Sequence, residues 1–216
     1  MQDIYRMTDF LESLETSEKD EFLRETEEKA TKDSVPIVKR PVRSLLSVLI
    51  QIKKPRQILE IGTAVGFSAV FMAKKAPYAR ITTIENYPPR IKEARKNIPA
   101  SGEGDRIELL EGDAADILPT LEGPYDLIFM DAAKGQYINF LEDCLRLLSP
   151  GGVLVSDNVL QDDDVLRSRY AVKRRNRTIH DRMRDYLYEI KHNEMLETVI
   201  IPAADGAAVS VKKEKE

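Results

Sequence analysis

Two apolar runs, each followed at once by polar side chains, constrain the fold of this chain most strongly. Tyr125–Met130 leads into Asp131, and residues 152–155 lead, after one serine, into Asp157 and Asn158. Unbroken apolar runs of this length are typical of parallel strands that are buried on both faces. Open α/β sheets bind their ligands at the carboxyl ends of the strands. The pattern therefore predicts a parallel sheet with oxygen ligands gathered along one edge.

Strand-like and helix-like segments alternate through the rest of the chain, which favours an α/β fold with helices on both faces of the sheet. Residues 195–201 and 207–212, joined around Asp205, predict a terminal hairpin. The length fits a single domain over residues 1–216, with a helical appendage at 1–54 and a sheet-containing core at 55–213. The predicted strands of the core are 57–61, 80–85, 106–111, 126–130 and 153–156.

The amino-terminal appendage is predicted to contain three helices. Apolar residues from Ile4 to Leu14 recur at helical spacing, and residues 17–20 resemble a capping box that opens a charged helix with Ser17 as its cap. A third helix is expected from Val42 to Ile50, and Pro55 marks the entry to the first strand.

The sequence has a single cysteine, no recognisable leader and no long uncharged apolar stretch. These features predict a cytoplasmic protein that does not enter a membrane. The single cysteine, Cys144, lies on an apolar helical stripe and is expected in the core. His180 and His192 have no convincing triad setting and are expected at the surface.

Asp131, Asp157 and Asn158 offer two carboxylates and an amide oxygen with no sulfur or imidazole nearby. That donor set suits a hard cation such as Mg²⁺ or Mn²⁺ and suits zinc poorly. Simpler explanations exist, because Asp131 alone could cap a helix and Asp157 with Asn158 could form a turn. Lys134 follows closely and could accept a proton if the metal depressed its pKa, or it could be a solvated helix start.

A small-residue loop after the first strand, residues 60–68, predicts a nucleoside cofactor site because glycines let a ligand approach the backbone closely. Ala64 stands where the dinucleotide fingerprint needs a glycine, so NAD is disfavoured. Glu85, at the end of the second strand, could accept hydrogen bonds from both ribose hydroxyls. Asp113 and the backbone beside it could read an adenine edge.

These motifs together resemble the class I S-adenosylmethionine-dependent methyltransferases, and within them the cation-dependent O-methyltransferases that include catechol and caffeoyl-CoA enzymes. The resemblance implies a Rossmann-like, seven-stranded sheet whose last strand is antiparallel, and a chain that forms homodimers. It implies Asp131 and Lys134 as catalytic residues and Asp131, Asp157 and Asn158 as metal ligands. The cofactor site implied by the resemblance comprises Val38, Glu60, Gly62, Ser68, Glu85, Asp113, Ala114 and Asp131.

Segments at 35–37, 131–137, 156–160 and 200–206 are similar to the bacterial tRNA 5-hydroxyuridine methyltransferases, which implies the wobble base of tRNA as substrate. The 5-hydroxyl and 4-carbonyl of that base form a vicinal oxygen pair like that of catechol, so one metal site could serve either ring. Catechols, acyl-CoA esters and a noncatalytic cofactor-binding role are the alternatives.

A basic segment between Arg167 and Arg184 is opposed only by Asp181, although the whole chain carries a formal net charge of −4. Such a segment could bind the anticodon arm of tRNA, with Tyr137 or an arginine stacked on the extruded base. CoA phosphates or a solvated helix face would explain the same charges. The residues expected to contact nucleic acid are Lys173, Arg174, Arg175 and Arg177.

Overall fold

The computed structural model describes residues 10, 11, 13, 14, 16–160 and 165–214. The described strands form one seven-stranded sheet in the order β3-β2-β1-β4-β5-β7-β6. The first five are mutually parallel, and β7 runs antiparallel to both of its neighbours. The strands are β1 Gln57–Ile61, β2 Arg80–Glu85, β3 Ile107–Glu111, β4 Tyr125–Met130, β5 Leu148–Ser156, β6 Leu196–Ile201 and β7 Ala207–Lys212.

Helices cover both faces of the sheet, and each face has its own apolar core. The alternation of β4 explains its apolar run at 127–130: Leu127 and Phe129 pack into one core, while Ile128 and Met130 pack into the other. The first core includes α2 and α3, and the second includes α6 and α7. The described helices are α1 Glu21–Lys32, α2 Arg40–Lys53, α3 Phe67–Lys75, α4 Pro88–Ala100, α5 Ala114–Ile117, α6 Tyr137–Leu147 and α7 Arg177–His192.

The predicted α/β fold and terminal hairpin are confirmed, and the strand predictions differ from the structure mainly in β5. That strand begins at Leu148, five residues before its predicted start. Its Pro-Gly-Gly sequence is typical of a turn, but a register shift opposite Tyr125 and Leu127 of β4 accommodates it within the strand. Cys144 is fully buried, as expected, and burial raises the pKa of its thiol to about 12.

The helices of the appendage differ in part from the prediction. The capping prediction is wrong by three residues, because Asp20 rather than Ser17 caps α1 by accepting the Leu23 N–H at 3.0 Å. The predicted first helix lies largely outside the described residues, although Leu11 is helical. None of the helices in the described part of the chain has the length and apolar character needed to cross a membrane.

Candidate active site at the carboxyl edge of the sheet

The pairing of β4 with β5 brings the predicted metal ligands together. Met130 lies opposite Ser156, so the next residues along each strand meet at the carboxyl edge of the sheet. The Asn158 amide nitrogen donates a hydrogen bond to Asp131 Oδ1 at 3.1 Å. The Asp157 residue is only 2% exposed, and its Oδ1 accepts the backbone N–H of Asn158 at 2.7 Å.

The two carboxylates are electrostatically unfavourable without a cation. Burial raises the pKa of Asp131 despite the opposing effects of Asn158 and Lys134. Burial, followed by the charge of Asp131, raises the pKa of Asp157 to about 7. Two buried like charges beside an amide group would be stabilised by a divalent cation, so the donor set fits Mg²⁺ or Mn²⁺. Ligation would use the Asn158 oxygen in place of its present hydrogen bond from nitrogen.

Within the described ranges, no group of three or more His, Cys, Asp or Glu residues is placed to hold a metal ion. Among the described residues, the two aspartates and Asn158 are the predicted ligands, and such a set would leave positions for substrate and water on a bound cation.

The predicted cofactor loop borders a cavity of about 380 Å³. Glu85 lines it, and its carboxylate accepts backbone N–H groups from Ala64 at 2.8 Å, Asn86 at 3.0 Å and Tyr87 at 2.9 Å. Three N–H donors fix this carboxylate at the cavity wall, and its oxygens retain lone pairs for ligand hydroxyls. The predicted cofactor residues in the lining are Gly62, Glu85, Asp113, Ala114 and Asp131.

Three other predicted cofactor residues lie outside the lining of this cavity. Glu60 is fully buried and accepts a hydrogen bond from the Thr83 hydroxyl, so its position is behind the loop. Ser68 is 7% exposed, at the start of α3. Val38 borders a different cavity, close to Lys39 and Asp205. Their roles at the cofactor site stay predictions.

Glu60→Gln is expected to make the free energy of unfolding less dependent on pH. Burial raises the pKa of Glu60 from 4.5 to about 7, so the folded chain holds a proton that the unfolded chain releases. Stability conferred by that proton is present at low pH and lost as pH rises through this interval. Between pH 5 and 8, the unfolding free energy of the parent should fall by about 2–3 kcal/mol more than that of the variant. Urea titrations would measure this difference, and the exposed control Glu108→Gln should follow the parent.

The predicted metal-ligand site is formed by Asp131, Asp157 and Asn158, and a second cavity, of about 540 Å³, lies on its other side. Asn158 and Lys134 line it, together with Ile179 and Met183 of α7. Ala132, Ala133 and Gln136 line both this cavity and the cofactor cavity. The Asp131 and Asn158 side chains therefore lie where two cavities meet, one suited to a cofactor and one to an acceptor with apolar parts.

Helix α7 holds the turn that carries Lys134. That turn spans Lys134–Gln136, and Arg182 donates a hydrogen bond to the Gly135 carbonyl oxygen at 3.0 Å. Lys134 is thus the first residue of a 3-10 turn at the rim of the acceptor cavity. Its charge lowers the pKa of Asp131, which places it within electrostatic reach of the metal-ligand site.

Tyr137 and His180 are both buried, which differs from the expectation for each. The prediction that Tyr137 stacks on a substrate base is wrong, because the side chain is fully buried and its hydroxyl lies 3.0 Å from the Asp157 carbonyl oxygen. His180 is also buried rather than exposed, and its Nε2 lies 3.1 Å from the Arg167 carbonyl oxygen. It therefore ties the basic segment to α7. His192 is exposed, as expected.

Asp205 is a site residue to which the sequence analysis gave no role. It lies in the hairpin loop, where Lys39 forms an ion pair with it at 2.8 Å. Its charge is one of the causes that raise the pKa of Asp157. The only sequence signal was its place in a loop that follows an edge strand, which does not reveal that the loop folds back over the metal-ligand site.

Within the described structure, some cations of the basic segment form side-chain hydrogen bonds to the protein and others do not. Lys173, Arg174 and Arg175 are exposed, and among the described residues they form no ion pair or hydrogen bond through their side chains. Arg177 is half-buried and donates to the Val172 carbonyl oxygen at 3.3 Å. The first three cations lie in the turn before α7 rather than on a helix face.

Comparison with known proteins agrees with this geometry. Residues 13–213 match the family model described as O-methyltransferase. The chain belongs to this family. It is 40% identical over 126 residues to a catechol O-methyltransferase of Niastella koreensis, covering 56% of this chain and 57% of that protein. It is 42% identical over 113 residues to a catechol O-methyltransferase of Mycobacterium tuberculosis, covering 51% of each. The chain thus spans only about half the length of these relatives.

The family fold extends over nearly the whole chain. An SAH-bound methyltransferase of Podospora anserina superposes with a TM-score of 0.86 at 26% identity, covering 99% of this chain and 96% of that one. SAH is the product that S-adenosylmethionine leaves after donating its methyl group.

Proposed function

We propose that the chain transfers a methyl group from S-adenosylmethionine to one hydroxyl of a small catechol-type aromatic compound. The observation that carries this proposal is the position of Asp131 and Asn158 between the two cavities. A methyl donor in the first cavity and a methyl acceptor in the second would meet beside these two side chains. The SAH-bound structural relative supports the donor, and the two catechol O-methyltransferases support the acceptor class.

The proposed role of each residue follows from the chemistry of its side chain. Asp131, Asp157 and Asn158 would hold a divalent cation, which when bound supplies positive charge that lowers the pKa of a nearby hydroxyl. Lys134, at the rim of the acceptor cavity, would receive the hydroxyl proton provided that a nearby bound cation depresses its pKa and leaves its amine neutral before the methyl group is transferred. Ile179 and Met183 would pack against the ring and exclude water. Two vicinal oxygens would fix the ring in one orientation.

Catechol and phenol make a matched pair of test substrates. The chain should methylate catechol with S-adenosylmethionine and Mg²⁺, whereas phenol should react far more slowly because it offers one oxygen where the site is proposed to hold two. Chromatography of the methylated products would measure both rates. Equal rates, or no turnover of either compound, would contradict the catechol proposal.

Glu85→Ala is expected to weaken S-adenosylmethionine binding. The variant would lose the carboxylate proposed to accept the ribose hydroxyls, at a cost of about 1–3 kcal/mol. It would also release the N–H groups of Ala64, Asn86 and Tyr87. Isothermal titration calorimetry would measure the affinity, with Glu108→Ala as an exposed control. An unchanged affinity would exclude Glu85 from the ribose site.

A second candidate substrate, 5-hydroxyuridine at the tRNA wobble position, is favoured by one observation. Lys173, Arg174 and Arg175 are three consecutive exposed cations, and their turn adjoins Asn176, which lines the acceptor cavity. Cations at the entrance to a cavity suit a substrate that carries phosphates. An acyl-CoA ester would present similar charges. Homodimer formation, cytoplasmic location and binding of an anticodon arm likewise stay predictions.

Neutralising Lys173, Arg174 and Arg175 together tests the tRNA candidate. If these residues bind phosphates, the triple variant should bind tRNA at least tenfold more weakly and with a shallower salt dependence. Its rate on catechol should not change. Filter binding across a salt series would measure the first effect, with exposed Lys29 and Lys32 as control positions. Equal tRNA binding and methylation by variant and parent would leave only the small-molecule proposal.

A noncatalytic role makes a different prediction. A protein that only binds the cofactor would retain affinity for S-adenosylmethionine and turn over neither catechol nor hydroxyuridine-containing tRNA. Calorimetry and the two rate measurements on the same preparation separate all three possibilities.

A further inference from the structure

A third cavity, of about 350 Å³, lies between α2, α3 and the segment that precedes α1. None of its lining residues borders the cofactor or acceptor cavity. Cationic and hydroxyl side chains dominate the lining, and Phe71 supplies an apolar wall. The lining residues used below are Lys19, Arg40, Arg43, Lys75, Ser17 and Ser47.

The arginines of this cavity are only partly neutralised. Arg43 is 6% exposed, and its guanidinium donates to both carboxylate oxygens of Glu27, at 2.7 and 3.2 Å. Arg40 donates to the same carboxylate at 3.3 Å. One carboxylate therefore serves two guanidinium groups, and a net positive charge is left at the cavity wall.

The two lysines add further positive charge, because neither forms an ion pair with a carboxylate among the described residues. The Lys75 ammonium lies 5.4 Å from the centre of the Phe71 ring, a contact that leaves its charge intact. Lys19 forms no ion pair within the described part of the chain. By contrast, the neighbouring Lys74 is neutralised by Asp20 at 2.7 Å. Glu18 is the one acidic residue in the lining, and its carboxylate accepts the Asp20 N–H at 3.0 Å.

Hydroxyl groups complete the lining. Because Asp20 caps α1, the Ser17 hydroxyl is not used as a helix cap. Ser17 and Ser47 border the same cavity as the cations. Ammonium, guanidinium and hydroxyl donors around one cavity are the combination that recognises a phosphate group.

We propose that this cavity binds a phosphate group, a function that goes beyond the proposed methyl transfer. Inorganic phosphate and the phosphate ester of a small metabolite share the required chemistry. The cavity shares no lining residue with the acceptor cavity, so the phosphate would not occupy the place proposed for the methylated hydroxyl.

Calorimetric titration with inorganic phosphate and with ribose 5-phosphate, at constant ionic strength and without divalent metal, tests the proposal. Phosphate should bind saturably to the parent protein. The double variant Lys19→Met, Lys75→Met should bind at least tenfold more weakly, because it removes two cations while keeping an apolar stem over Phe71. Tighter binding of ribose 5-phosphate would show that the organic part of an ester adds contacts, and equal binding would show that the cavity recognises the phosphate group alone.

A matched control removes the same charge elsewhere. Lys92 and Lys96 are exposed on α4 and border none of the three cavities. The Lys92→Met, Lys96→Met variant should bind phosphate within twofold of the parent. The proposal is overturned if the parent shows no saturable binding, or if both double variants lose affinity equally. Unfolding curves recorded without phosphate would confirm that the Lys19, Lys75 variant is folded.

Discussion

Asp157→Asn is expected to slow methyl transfer strongly while making the metal-free protein more stable. The carboxylate is buried beside Asp131, and this environment raises its pKa from 3.8 to about 7. At pH 8 the charged group therefore opposes folding, and neutralising it should raise the unfolding free energy by about 2–4 kcal/mol. Activity should fall about 100- to 1,000-fold, the scale for losing preorganised electrostatic stabilisation.

The opposite signs of the two effects make this test specific. Damage to the fold would lower both activity and stability, whereas loss of a metal ligand lowers only activity. Chemical denaturation in EDTA at pH 8 would measure stability, and the stabilisation should shrink at pH 5, where Asp157 of the parent is protonated. In the parent, EDTA should stop turnover and added Mg²⁺ or Mn²⁺ should restore it. Full activity of the variant in EDTA would exclude a metal bound through Asp157.

Local sequence patterns were sufficient to predict the sheet and the meeting of Asp131, Asp157 and Asn158 at one of its edges. Residues 127–130 of β4 are all apolar because both faces of the strand are buried there, so its end could be located from sequence. Asp131 and Asp157 then follow two strands that happen to be neighbours. In a parallel sheet, residues just beyond adjacent strands meet at one edge, and this rule needs no knowledge of side-chain packing.

The residues that were misread depend on contacts distant in sequence. His180 is buried because the basic segment folds back to place the Arg167 carbonyl against its ring. Asp205 reaches the metal-ligand site because the terminal hairpin closes over it, with Leu160 donating its backbone N–H to the Asp205 carbonyl at 2.8 Å. Ser17 and Asp20 are both good helix caps, and sequence alone could not decide between them.

Gly62 is the position where a single methyl group should do the most damage to the cofactor site. Its φ is +106°, a backbone conformation that residues other than glycine rarely adopt. A Cβ there would also collide with the backbone carbonyl oxygen of Asp131, which cannot move without displacing the metal-ligand site. Gly62→Ala should therefore destabilise the fold by about 3 kcal/mol or more, the sum of backbone strain and overpacking.

Gly102→Ala separates the two contributions, because Gly102 also has a positive φ, of +79°, but has open space where its Cβ would lie. That control should cost only about 1 kcal/mol and leave S-adenosylmethionine affinity intact. Gly62→Ala should lose affinity as well as stability, since the clash displaces Asp131 at the junction of the two cavities. Denaturation and calorimetry on both variants would measure the difference. If the two alanines cost the same and both bind cofactor normally, the close approach between Gly62 and Asp131 does not shape the site.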